Sequence, residues 1–523
     1  MNYRDRRDFL KLLGKSSMAV VLSSYLMPTK IYANATEDLG DFKALVVLQL
    51  MGGNDSFTMF VPTDKTDGSK TGYELYSDAR SSLTRIKDND MMSHLRTLRD
   101  AKGFLTLNAG AGNPYIPTGT DGLNLEEIYT HSMYIHDQHF EGKIGTHGAM
   151  PELANLLDLG KGAVIQNVGN IKQLSTKEEL QSDRSLYPPF LGAHNQQENL
   201  TQTGVASTIT HPTGWLGRLA DRWNSESEVN SSIYGMNINL TRSGSNKMLY
   251  GENTSGFNYS YEGPKALLDV NETLYGNLLN TERRDLFKKL FKGSQKTVHD
   301  NLGYLLEDWA NINGLGDPFA SVTDSYGKTL SEIPLFDDYY LDSGADSKII
   351  QSFTTAAKLI SLAKDRGEKR VVINLSIGGF DTHNTQFRQH LKAYRGISIG
   401  LDKFTRAMDH LGISDKVTTF SISEFGRNLR TNGRGTAHGW GGSYFAVGDA
   451  VQPGNHGTFP DLTLAGKDDK RTSGTLIPTS SVTQYYATIL KWFAANEATL
   501  KNVLPELVNF DEDTWDLGFM KTT

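Results

Sequence analysis

The run from Arg370 to Asn384, Arg-Val-Val-Ile-Asn-Leu-Ser-Ile-Gly-Gly-Phe-Asp-Thr-His-Asn, constrains the fold more than any other stretch of the chain. It begins as a β-branched apolar run, Val371 to Ile377, breaks at Gly378-Gly379, and delivers Asp381 and His383 two residues apart. A buried strand, a glycine turn, then a carboxylate and an imidazole is how an α/β protein presents ligands at the carboxyl edge of a parallel sheet. Two other runs end in a similar way. Lys43 to Leu50 reads as a central strand, apolar on both faces, and closes on Met51-Gly52-Gly53-Asn54-Asp55-Ser56. Val417 to Ile422 closes on Ser423-Glu424-Phe425-Gly426-Arg427, and a glycine-rich loop holding His438 follows.

Between the second and third runs lies a long helical pattern, Gln386 to Leu411. Its apolar stripe passes through Phe387, Leu391, Tyr394, Ile397, Leu401, Phe404 and Met408. Strand, long helix, strand implies parallel pairing with a right-handed crossover. Further helices are expected at Met150 to Leu159, with Pro151 in the first turn, at Gly214 to Arg222, at Gln351 to Lys364 and at Ser480 to Asn496. Ala163 to Val168 reads as another strand, and Ser443 to Val447 as a further one. Residues 63–127 read as loops with short elements, including a helix near Met91 to Asp100. Residues 188–213, which contain His194, read as loop. Residues 225–347 read as a loop-rich and helical insertion within one domain spanning 36–523.

The 523 residues carry a formal net charge of −7. The first 35 contribute +4, which leaves an acidic body. An acidic body argues against a general nucleic-acid binder, which needs basic surface to displace phosphate counterions. There are no cysteines, which removes disulfides, thiolate ligands and cysteine nucleophiles. Asp5-Arg6-Arg7-Asp8-Phe9-Leu10-Lys11 resembles the twin-arginine export motif. An apolar segment from Met18 to Met27 and the small residues Ala33-Asn34-Ala35 complete the layout of a signal peptide over residues 1–35. The expectation is a soluble periplasmic or extracellular protein, exported by the twin-arginine machinery, with no stable membrane span.

Three candidate strands thus end at Asp55, at Asp381 and His383, and at Glu424, with His438 on the loop after the third. Together they offer oxygen and nitrogen ligands for a divalent metal such as zinc, manganese, calcium or magnesium. Each has a structural alternative. Asp55 can form an Asx turn, Glu424 can cap a helix, and His438 can pair with a carbonyl.

Gly52-Gly53-Asn54-Asp55, Gly378-Gly379-Phe380-Asp381-Thr382-His383, Ser423-Glu424-Phe425-Gly426-Arg427 and His438-Gly439-Trp440-Gly441 resemble the signature blocks of the bacterial domain-of-unknown-function family 1501. Gly145-Thr146-His147 and Thr213-Gly214-Trp215-Leu216-Gly217-Arg218 are similar to further blocks of it. The family is related in fold to the alkaline phosphatase and sulfatase superfamily. The resemblance therefore implies an α/β/α sandwich with a mostly parallel central sheet, alkaline-phosphatase-like. It also implies metal ligands at Asp55, Asp381, His383, Glu424 and His438. The superfamily's nucleophile position falls near Thr146 and His147, where this sequence has no clean match. Ser56 is another hydroxyl at a strand end. Ala437 stands where many relatives carry an Asp.

Two functions follow as expectations. The first is metal-dependent hydrolysis of a small anionic phosphate or sulfate ester, with Arg427 or His194 holding the anionic group. The second is a non-catalytic exported protein that keeps a hydrolase scaffold to bind a glycan or a partner. A dinucleotide-dependent oxidoreductase is disfavoured, because no strand leads into a Gly-x-Gly-x-x-Gly turn.

Overall fold

The computed structural model describes residues 39–63, 70–81, 84–107, 131–224, 237–240, 246–252, 254, 256–264, 305–333 and 345–522. The expected export segment and residues 265–304 of the expected insertion lie outside them. The frame is a nine-stranded sheet. In chain order its strands are β1 (Lys43–Leu50), β2 (Gly162–Gly169), β3 (Asn237–Asn239), β4 (Phe257–Asn258), β5 (Arg370–Ile377), β6 (Val417–Ile422), β7 (Gly442–Val447), β8 (Gly454–His456) and β9 (Ser480–Ser481). Across the sheet the order is β8-β2-β7-β6-β1-β5-β3-β4, with β9 alongside β2. Every pairing is parallel except the two made by β7. All eight residues of β1 are buried, which is why six of them, Ala44 to Leu48 and Leu50, are apolar.

The principal helices are α1 (Pro151–Asp158), α2 (His194–Thr203), α3 (Trp215–Asn224), α4 (Ala345–Asp365), α5 (Gln386–His410) and α6 (Val482–Trp492). Strand alternation divides the core in two. Ala44, Val46 and Leu48 of β1, with Val371, Ile373 and Leu375 of β5, pack against α1, α4 and α5. Leu45 and Val47, with Val372, Phe420 and Ile422, pack against α3 and α6. Helices therefore cover both faces of a mostly parallel sheet. Among the described residues, no helix is long and apolar enough to cross a membrane.

Two expectations need revision. The stretch at 188–213, read as loop, contains the helix α2. Its sequence, His-Asn-Gln-Gln-Glu-Asn-Leu-Thr-Gln-Thr, has a single large apolar residue and so lacks an apolar stripe. It folds because its inner face is polar and satisfied: Gln197 donates to the Pro189 carbonyl at 2.8 Å, and Thr201 meets Asn170 at 3.0 Å. Gly204, at φ 62°, then stops the helix in the left-handed conformation. The segment read as an insertion also gives part of itself to the frame, as β3 and β4 extend the main sheet beyond β5.

A row of side-chain amides crosses this half of the sheet. Gln202 of α2 donates to Gln49 at 3.3 Å, Gln49 to Asn374 at 2.7 Å, Asn374 to Asn239 at 2.9 Å, and Asn239 to Asn258 at 2.8 Å. Each buried amide thereby meets the requirement that a desolvated polar group be paired.

Asp55 follows β1 and is fully buried. Arg80 holds both of its carboxylate oxygens, with Nη2 donating to Oδ1 at 2.9 Å, and Gln386 adds a bond to Oδ2 at 2.6 Å. Burial alone would raise the pKa of this carboxyl, but the charge and hydrogen bonds of Arg80 prevail and bring it down to about 2. Its contribution to stability is thus present above the ordinary carboxylate pKa and lost as pH falls through about 2. Asp55→Asn leaves Arg80 buried without its counter-charge and is expected to cost about 3–5 kcal/mol in denaturant unfolding at neutral pH. The deficit should shrink in acid.

Candidate metal centre

The three central strands β6, β1 and β5 run side by side in parallel, so their carboxyl ends open on one edge. Gly52 shows how tightly the ends converge. It sits at φ 116°, and a Cβ there would lie 2.3 Å from the Asp381 backbone nitrogen. Its N–H donates to Glu424 Oε1 at 2.8 Å, and its carbonyl accepts from Arg427 at 3.0 Å. Only glycine permits both the backbone angle and that approach.

On this edge three side chains converge. One ligand atom each from His194, Asp381 and His438 lie within 4.8 Å of one another. Asp381 comes from the turn after β5. His438 ends the short ribbon strand Thr436–His438, which pairs with Arg427–Thr431. His194 opens α2. The Asp381 side chain is 48% exposed, so the cluster is open to solvent.

The partners of each ring fix its tautomer. His194 Nδ1 lies 2.9 Å from Glu424 Oε1, and a carboxylate can only accept, so Nδ1 carries the proton there. In the neutral ring the lone pair is then on Nε2, which is buried, has no hydrogen-bond partner and lies 3.5 Å from Asp381 Oδ2. His438 Nδ1 lies 2.7 Å from the Gly192 carbonyl, which likewise requires a proton on Nδ1; in the neutral ring the lone pair is then on Nε2, which lies 2.9 Å from His383 Nε2 and 3.1 Å from Asp381 Oδ1. The carbonyl pairing expected as an alternative for His438 is thus present, and it orients the other nitrogen. A ring whose far nitrogen is fixed by a carboxylate or carbonyl is the usual support of a metal-binding histidine.

His383 differs. Its Nδ1 faces Arg427 Nη2 at 3.4 Å, and a guanidinium only donates, so the proton of the neutral ring sits on Nε2. That Nε2 lies 2.9 Å from His438 Nε2 and 3.0 Å from Asp381 Oδ1. His383 therefore enters the cluster as a proton carrier rather than a free lone pair. Burial lowers its pKa, helped by the Arg427 charge. His194 moves the other way: its bond to Glu424 raises the pKa against an opposing effect of burial. For Asp381, burial acts upward, and the His438 ring at 3.1 Å, with the nearby cations, outweighs it downward.

The other expected site residues fall elsewhere or take other tasks. Glu424 is brought to the cluster through His194 and the Gly52 N–H, as a support. Asp55 is not brought there, because Arg80 occupies both its oxygens. Arg427, expected to hold an anion, spends its guanidinium on the protein. It donates to the Gly52 carbonyl, Asp381 Oδ1, the Thr436 carbonyl and His383. Thr146 and His147 lie on the buried strand Ile144–His147 of a separate three-stranded sheet. Thr146 bonds His136 at 2.8 Å, and His147 Nδ1 accepts from the Ala149 N–H at 3.0 Å. Neither is bonded to the cluster. Ser56 is also buried.

Glu198, one helical turn after His194 on α2, belongs to no motif in the sequence. It lines a narrow cleft with Gln49, Thr201, Gln202, Ser423 and Glu424. Burial first, and the Glu424 charge second, push its pKa up to about 7. The signal was the four-residue spacing from His194, and it is invisible unless the segment is read as helix.

Residues 337–484 match the model of a family described as Protein of unknown function (DUF1501), a span that includes Asp381, His383, Glu424, Arg427 and His438. A search of curated proteins finds no match. Among solved structures, this chain is similar to that of Ps i-CgsB at a TM-score of 0.29, and to Ps i-CgsB in complex with k-i-k-neocarrahexaose at 0.27. Identity is 10% in both, over 69% of this chain and 71% of the other. A likeness that slight bears on neither mechanism nor substrate.

The geometry separates ligands from supports. His194→Ala or Asp381→Asn is expected to abolish stoichiometric zinc or manganese binding in calorimetry. Glu424→Gln should weaken it by about 10–100-fold, and Asp55→Asn should leave it unchanged. Glu198 has a folded-state pKa above its ordinary value of 4.5, so its contribution to stability is present in acid and lost as pH rises through about 7. Glu198→Gln should therefore flatten the fall in stability over that interval, measured by thermal melts against pH.

Proposed function

We propose that this protein is a divalent-metal-dependent hydrolase of a phosphate or sulfate ester, on an alkaline-phosphatase-like sheet. We further propose that it is exported to the periplasm or beyond through its twin-arginine leader. One observation carries the catalytic reading. His194 Nε2, His438 Nε2 and the Asp381 carboxylate converge at an open sheet edge, with both rings oriented by acceptors behind them. Two imidazoles and one carboxylate, with positions left open to solvent, suit zinc or manganese better than calcium or magnesium, which prefer all-oxygen shells. A divalent ion held there supplies Lewis-acid chemistry to an ester oxygen and lowers the pKa of water.

The chain's own residues account for the rest of the reaction. His194 opens α2, whose cap residue Ala193 offers no side-chain acceptor, so the positive end of the helix favours an anionic group at this edge. Arg427 holds Asp381 and His383 in place. The Nε2–H of His383 is placed to hydrogen-bond to the ester oxygen as its bond to phosphorus or sulfur breaks. Water provides the oxygen of the new bond, and the proton it gives up passes through solvent to the leaving oxygen, so the products are the alcohol and the inorganic anion. Water fits the nucleophile's role because, among the described residues, no hydroxyl side chain is hydrogen-bonded to His194, Asp381, His383 or His438.

That same observation favours a second reading, a non-catalytic exported protein that binds a glycan or another anionic ligand at a metal-holding edge. Turnover distinguishes the two. The mature protein, loaded with zinc or manganese, is expected to hydrolyse aryl phosphates or aryl sulfates, with Asp381→Asn lowering kcat by about 100-fold or more. A folded, metal-loaded protein that turns over neither ester class would leave the binding reading standing.

A further inference from the structure

We propose that Phe190 is an aromatic platform beside the metal centre, and that the ester taken there carries a flat apolar ring face, a sugar or an aryl group. This rests on the hydrolase reading and specifies its substrate. Among the described residues, Phe190 is one of the few large apolar side chains left exposed, at 61%. It is also one of the few described residues other than glycine at positive φ, 54°. An exposed phenylalanine in the left-handed region gains little from burial and bears the crowding of its Cβ, a combination that folding alone does not select.

The segment that carries Phe190 is nonetheless fixed. Tyr187, at its start, lies between the Trp440 ring, 5.5 Å away, and Lys470 Nζ, 4.7 Å away. The Pro189 carbonyl accepts from Gln197, the Phe190 carbonyl from the Ala193 N–H at 3.0 Å, and the Gly192 carbonyl from His438 Nδ1 at 2.7 Å. Phe190 lies two positions before Gly192, whose carbonyl orients His438, a span of at most about 7 Å between Cα atoms. It lies four positions before His194. The ring is therefore presented by a braced turn belonging to the same hydrogen-bonded unit as two of the three ligands. Preorganisation of this kind reduces the ordering cost of binding a rigid ring. Stacking of a sugar or aryl face on an exposed aromatic side chain is the chemistry it offers.

The experiment compares ring-bearing and ringless probes on the zinc-loaded full chain by calorimetry. The probes are 4-nitrophenyl sulfate, glucose 6-sulfate and inorganic sulfate, with the corresponding phosphates. Phe190→Ala is expected to weaken the ring-bearing esters by about tenfold, to leave the inorganic anions unchanged, and to be rescued by Phe190→Tyr. Which of the aryl and sugar probes suffers more identifies the ring. Phe190→Gly should likewise lose the ring-bearing esters while raising the melting temperature, because glycine relieves the positive φ. Wild-type binding of inorganic anions, with ring-bearing esters unaffected by Phe190→Ala or weakened equally with the anions, overturns the platform and spares the metal centre. No binding of any probe to the zinc-loaded wild type overturns both.

Discussion

One buried guanidinium holds the edge of this sheet together. Arg427 reaches the backbone after β1 at Gly52, the carboxylate after β5 at Asp381, and the Thr436 carbonyl of the ribbon that carries His438. A guanidinium has no acceptor and cannot be neutralised, so a buried one imposes the positions of every oxygen it touches. Three strand ends drawn from distant parts of the chain have to arrive together for this residue to be solvated by protein. The alignment of Asp381 with His383 and His438 is the by-product of that demand.

A second polar layer lies beneath. Gln386, at the start of α5, takes bonds at its Oε1 from Thr382 and Thr436 and gives one to Asp55, which Arg80 neutralises. The strand-end acid that seemed a ligand is a foundation stone, one layer below the exposed acid. Both carboxylates follow central strands and both face an arginine. What separates them is accessibility: Asp55 is sealed, whereas Asp381 is half exposed. Burial turns one carboxylate into a structural counter-ion and leaves the other available to a cation.

The frame was legible because it is written in apolar periodicity. The runs at 43–50, 370–377 and 417–422 and the long stripe of α5 appear as read, and their parallel order follows from the crossover. The cluster was legible in part, at Asp381 and His438. Its third member was seen as a residue but not placed as a ligand, since α2 buries amides and hydroxyls and so leaves no hydrophobic signature. Sequence can show that Asp55 and Asp381 both follow strands; it cannot show which of them meets Arg80. That choice depends on a contact across 25 residues and on the exclusion of water, neither of which has a local pattern.

The amide row across β1, β5, β3 and β4 has a consequence for the margin of the sheet. Strands of three and two residues have little backbone pairing to define their alignment, and an edge strand is free to slip. A slip of one position in β3 would turn Asn239 to the opposite face and strip Asn374 of its acceptor in the dry interior. The error would be felt at Gln49, in the middle of the sheet. The outermost strands are thus proofread from the centre: their alignment is written in side-chain amides where it is too short to be written in main chain.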